Sequence, residues 1–133
     1  MNFIFRDEEH KKSYYATLEL MRNSDCYRKA VAYLFTLDPI CFEHIRDIYD
    51  FSEDCIAPDG LNKAWQTGTS KKTTRLAFNL WNGWCTDGET YIGSDGFEES
   101  LPSCYFTPNN IFCCEYAPYY VEALKLRFPE YFD

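Results

Sequence analysis

Between Leu76 and Leu124 the chain contains neither lysine nor arginine. The same stretch holds seven carboxylates, Asp87, Glu89, Asp95, Glu98, Glu99, Glu115 and Glu122. Residues 1–75 carry a net charge of −1 and residues 76–133 a net charge of −7, out of −8 in all. Binding to phosphate backbones needs an exposed basic stripe, so this imbalance argues against direct contact with nucleic acid and against an acidic membrane surface. Long apolar runs are also missing, which excludes a transmembrane helix. The opening Met1–Glu9 turns acidic before any apolar segment long enough for a signal peptide, and a cytoplasmic location is expected.

Groups able to do chemistry are few. There are two histidines and six glycines, and no glycine-rich phosphate loop or nucleophile elbow among them. Seven cysteines (Cys26, Cys41, Cys55, Cys85, Cys104, Cys113 and Cys114) form no repeated close pairs, so they are read as free thiols in a reducing compartment rather than as zinc ligands. The segment Asp87–Glu98 can be laid on a twelve-residue calcium loop. Its fifth and sixth positions are Tyr91 and Ile92, where such a loop needs a polar ligand and then glycine. His10 falls in a charged first helix and is expected exposed, whereas His44 falls on an apolar helix face as a core or boundary histidine. No catalytic residue, cofactor or metal is expected.

What the chain does have is apolar mass. Hydrophobic residues make up 46% and aromatics 19% of 133 residues, enough for a core in one domain spanning 1–133. Eleven of the aromatics lie between Phe78 and Tyr120, inside the cation-free stretch. After a short extended Phe3–Phe5, Asp7-Glu8-Glu9 reads as an acidic first helical turn, followed by Tyr14, Tyr15, Leu18 and Met21 at helical spacing. Ser24 is the expected N-cap of a second helix with Tyr27, Ala30, Val31, Leu34 and Phe35 inward. Asp38-Pro39 opens a third, with Ile40, Cys41, His44, Ile45 and Ile48 as its inner face.

Phe51–Gly60 reads as a loop with turn chemistry at Pro58-Asp59-Gly60, and Leu61–Trp65 as a short helical turn. A helix over Lys71–Trp81 is expected, capped by Thr69 or Ser70 and stopped at Asn82-Gly83. Leu76-Phe78-Leu80 also alternates with strand period, and the helix is the preferred reading. Asp87-Gly88 is a two-residue hairpin signal between Trp84–Thr86 and Glu89–Ile92. Thr107-Pro108 opens a short helix, and Pro118 opens a last one closed by Pro129. The expected fold is mostly α (α+β): five to six helices and a small hairpin near Asp87-Gly88.

Several segments look familiar together: Phe5–Lys11, Ile48–Phe51, Trp65-Gln66 with Gly68, Arg75–Leu80, and Tyr116–Tyr120 through Leu126–Tyr131. In these the chain resembles a small family of acidic proteins of similar length, without an assigned activity, from gut Firmicutes and their mobile elements. The resemblance implies a bacterial or phage-related accessory protein and transfers no catalytic residue. Arg75, Asn79 and Arg127 sit among apolar neighbours, for which buried arginine–carboxylate pairing is the ordinary account.

Three functions follow as expectations. The first is a non-enzymatic interaction domain whose acidic face, Asp87, Glu89, Asp95, Glu98, Glu99 and Glu115, docks on a basic protein surface. A mobile-element inhibitor of a host nucleic-acid-processing or defence protein would be its concrete form. The second is a small enzyme or ligand-binding domain that holds an anionic group at a helix start, with Thr69, Ser70, Lys71, Lys72 and Arg75 around it. The third is a structural homo-oligomer subunit burying surplus aromatics.

Overall fold

The computed structural model describes residues 3–132. Its seven α-helices are α1 (Glu8–Glu19), α2 (Cys26–Leu37), α3 (Pro39–Glu43), α4 (Ile45–Ile48), α5 (Gly68–Asn82), α6 (Pro108–Ile111) and α7 (Ala117–Arg127). Two antiparallel hairpins interrupt them, β1 (Tyr49–Asp50) with β2 (Cys55–Ile56) and β3 (Thr90–Ile92) with β4 (Glu98–Ser100). The mostly α, α+β class is therefore as the sequence implies.

Helix α2 is the axis of the molecule. Every residue from Ala30 to Leu37 is buried, because α1, α5 and α7 pack around that part of the helix. Its N-cap is Asp25, whose carboxylate accepts from Arg28 N–H, and not the expected Ser24. Phe35 meets Phe78 of α5 edge-to-face with ring centroids 6.3 Å apart, and Tyr120 of α7 bonds Thr73 of α5 at 2.7 Å. Asp38 and Pro39 start α3 as expected, but the third helix breaks at His44 into α3 and α4. His44 stacks on Trp65 at 4.5 Å, half-buried.

His10 corrects the sequence reading: it is fully buried. The helical period that places Tyr14, Thr17 and Met21 inward also places position 10 there, a signal masked by the charged residues beside it. Its Nδ1 accepts from Arg6 N–H at 3.1 Å and its Nε2–H donates to Tyr33 C=O at 2.9 Å. That pairing fixes the neutral tautomer. Burial, with the Arg6 charge nearby, holds its pKa below the ordinary 6.5. The unfolded chain then binds the proton more readily, so stability is fully present above about pH 6.5 and declines as the pH falls below it. Thermal midpoints measured from pH 8 to pH 5 are expected to drop in the lower half of that range. A wild-type curve as flat as that of His10→Gln would refute this.

Helix α5 also starts earlier than expected. Thr67, rather than Thr69 or Ser70, is the N-cap, and Ser70 at the third helical position returns the bond in a capping box. Gly83 ends the helix with φ +80°. The stretch Phe51–Gly60, read as a loop, contains strand β2, which pairs back onto β1 just before it; two-residue strands are too short to show alternation in sequence.

The second hairpin follows Asp87-Gly88 instead of turning there. Tyr91 pairs with Glu99 and Ile92 with Glu98, and the connection is Gly93–Phe97, with Gly96 at φ +82°. Asp87 is diverted by its side chain, which is drawn to Arg75 of α5.

Candidate functional site

Eight residues after α5 ends at Asn82 the first strand of a ribbon begins at Thr90, and the reason it leaves the helical body is local. Arg75 projects from α5 and grips Asp87 with two bonds, Nε–Oδ1 at 3.0 Å and Nη2–Oδ2 at 3.2 Å. Ser103 hydroxyl donates to the same carboxylate at 2.7 Å, and Ser103 N–H donates to Cys85 C=O at 2.8 Å. Tyr105 and Phe106 lie against the Arg75 guanidinium, 4.9 and 5.9 Å from it to their ring centroids. The two ends of the ribbon are thus pinned together on α5, and Leu101 N–H to Glu89 C=O at 2.8 Å extends the pairing outward.

Beyond that clamp, all six residues of β3 and β4 are exposed. Ile92 and Phe97 are 69% and 71% exposed, and Tyr91, Leu101 and Tyr105 also face solvent. Apolar side chains on one ribbon at this exposure are unusual for a surface that meets only water. Glu98 accepts from Thr90 hydroxyl at 2.6 Å and Glu99 from Tyr91 hydroxyl at 2.8 Å. The cross-strand register places Glu98 and Glu99 on opposite faces. Asp95 bonds Phe97 N–H in the turn, and Glu89 stands just before β3.

The predicted acidic face is therefore only partly assembled. Glu89, Asp95, Glu98 and Glu99 share the ribbon. Asp87 is neutralised by Arg75, and Glu115 lies apart from the ribbon between α6 and α7. Glu122, the seventh acid, is buried, accepts from Ile4 N–H at 2.9 Å and pairs with Lys125 at 2.8 Å. Sequence reasoning counted charges but did not single out Ile92, Phe97 and Leu101. The signal was available as apolar residues spaced through an acidic segment around Ser94-Asp95-Gly96.

The predicted anion site does not converge. Ser70 is fully buried, with its hydroxyl donating to Gln66 Oε1 at 2.6 Å. Arg75 is turned to Asp87, and Lys72 reaches Cys113, its Nζ 3.3 Å from Sγ. Thr69 and Lys71 remain half-buried near the helix start. The helix amide ends are thereby left without the two other cations assigned to them.

No curated protein and no solved structure matches the chain. A family model described as a family of unknown function, DUF6075, matches residues 1–133, and the chain belongs to that family.

Proposed function

We propose that this protein is a non-enzymatic interaction domain that docks the ribbon 89–101 on a basic surface of another protein. The observation that carries the reading is the ribbon itself, two short strands exposed on both faces with four carboxylates, exposed Ile92 and Phe97, and no cation. An isolated two-stranded ribbon is marginally stable alone, and addition of a partner would bury its apolar side chains. The carboxylates steer the encounter, while Phe97 and Ile92 supply the contacts that desolvate on docking. In its most specific form the target is the nucleic-acid channel of a host defence or processing protein, because a phosphate-binding groove carries the complementary charge.

The test compares wild type, Phe97→Ala and the triple variant Asp95→Lys, Glu98→Lys, Glu99→Lys as baits in lysate of the expressing cell. All four positions are exposed, so circular dichroism should be unchanged. One basic protein is expected on wild type at about 0.05 M salt, released at about 0.5 M salt. Phe97→Ala should weaken it by about 30-fold, the cost of an interface anchor. Equal retention on the charge-reversed bait would overturn the proposal.

A further inference from the structure

A second site stands on the opposite logic, a cation without an anion. Among the described residues, four arginines are drawn in from solvent: Arg6, Arg28, Arg75 and Arg127. Arg6 pairs with Asp7, Arg28 with Asp25 and Asp54, and Arg75 with Asp87. Arg127 pairs with no carboxylate among the described residues. Its Nε donates to Leu80 C=O at 2.8 Å, and Nη1 has only the weak acceptor Cys26 Sγ at 3.7 Å. The guanidinium is held between two rings, 3.9 Å from the Tyr27 centroid and 4.5 Å from that of Phe128. Stacking of this kind fixes the plane of the fork and leaves its edge donors to be used by something else.

That edge lies on a cleft of about 460 Å3 lined by Tyr27, Arg28, Trp81, Asn82, Gly83 and Arg127. The volume falls within the range of small-ligand sites. Tyr27 and Trp81 meet edge-to-face at 6.4 Å and form an aromatic wall, and Arg28 lies over Trp81 at 5.3 Å. Arg28 is already neutralised by its two aspartates, so the charge offered to a ligand is that of Arg127. The carbonyl ends of α5 and α7 offset part of it, which places the expected affinity in the weak range for one charge-assisted pair.

We propose that this cleft binds a small ligand in which an oxyanion, carboxylate or phosphate, is joined to a flat ring. The oxyanion takes the free Nη edge of Arg127 and the ring lies against Tyr27 and Trp81. The site is independent of the ribbon.

Calorimetric titration of the full chain with four probes tests it: AMP, benzoate, inorganic phosphate and adenosine. AMP, benzoate or both are expected to bind with Kd below about 1 mM, at least tenfold tighter than phosphate or adenosine alone. Which of the two wins identifies the oxyanion. Arg127→Gln should weaken binding at least tenfold and Arg127→Lys should restore part of it. Tyr27→Ala, at an exposed position, should produce a similar loss. Absence of saturable heat from either ring-bearing anion up to about 10 mM overturns the proposal. So does affinity unchanged in Arg127→Gln or Tyr27→Ala, or phosphate alone binding as tightly as AMP.

Discussion

Asp54→Asn is expected to cost about 3 kcal/mol of folding stability, one of the two largest losses available from a single conservative change. Asp54 is 3% exposed and its carboxylate is met by Arg28 Nε at 2.7 Å, Arg28 Nη2 at 2.5 Å and Tyr49 hydroxyl at 2.7 Å. Burial alone would raise its pKa, but the bonds from Arg28, Tyr49 and Arg22 N–H outweigh it and hold the group below its ordinary 3.8. Asn preserves the shape and also tolerates the left-handed backbone at this position, φ +57°, so the change removes charge and little else.

Removing one partner of a buried pair typically costs about 3–5 kcal/mol. The lower end applies because Asp25 still meets Arg28, at 2.6 Å. Thermal unfolding should show a midpoint lowered by about 10 °C at pH 7. The sign of the pH dependence is fixed by the depressed pKa. Stability from Asp54 is present above about pH 3.8 and is lost as pH falls through the folded value, so the gap between wild type and variant should close in acid. A gap that stays constant to pH 2 would show that the ion pair is not the source.

Gly60→Ala is the second large loss, at about 3 kcal/mol or more. A Cβ at Gly60 would stand 2.3 Å from Asp47 C=O and 2.5 Å from Ile48 Cγ2, where the nearest obstacle is backbone. The turn cannot swing away, because Gly60 N–H donates to Ala57 C=O at 3.0 Å and Gln66 Nε2 donates to Gly60 C=O at 3.1 Å. Gly83→Ala is the informative contrast. Its Cβ meets nothing, so only the left-handed backbone at φ +80° is strained, for about 1 kcal/mol. Urea unfolding of both variants separates the two mechanisms. Equal losses would mean that the 58–62 turn does not lie tightly against α4.

Local signals were legible where neighbours in sequence decide the outcome. Asp7, Asp38-Pro39, Gly83 and Pro118 sit at helix ends because caps and ring-fixed φ act within one turn. Errors of one to three residues, Ser24 for Asp25 and Ser70 for Thr67, arose where several hydroxyl or carboxylate residues competed for one cap. Position 10 went wrong because charged neighbours outweighed the heptad that joins it to Tyr14, Thr17 and Met21.

The candidate sites divide in the same way. The acidic, cation-free character of the ribbon was readable from residues 87–99, since those carboxylates are near in sequence and Asp95, Glu98 and Glu99 stay exposed. Which carboxylates remained charged outward was not readable. Arg75 reaching Asp87 and Lys125 reaching Glu122 depend on where α5 and α7 come to rest.

By itself, the order of residues determined the helices, the family and the imbalance of charge, all of which are properties of short segments or of composition. Only the packing of α2 against α1, α5 and α7 decided that residues 27, 81 and 127 share a cleft, with a guanidinium that no described carboxylate pairs. Contacts across a hundred positions form when apolar surfaces are buried together, and no local pattern encodes which polar groups that burial strands side by side.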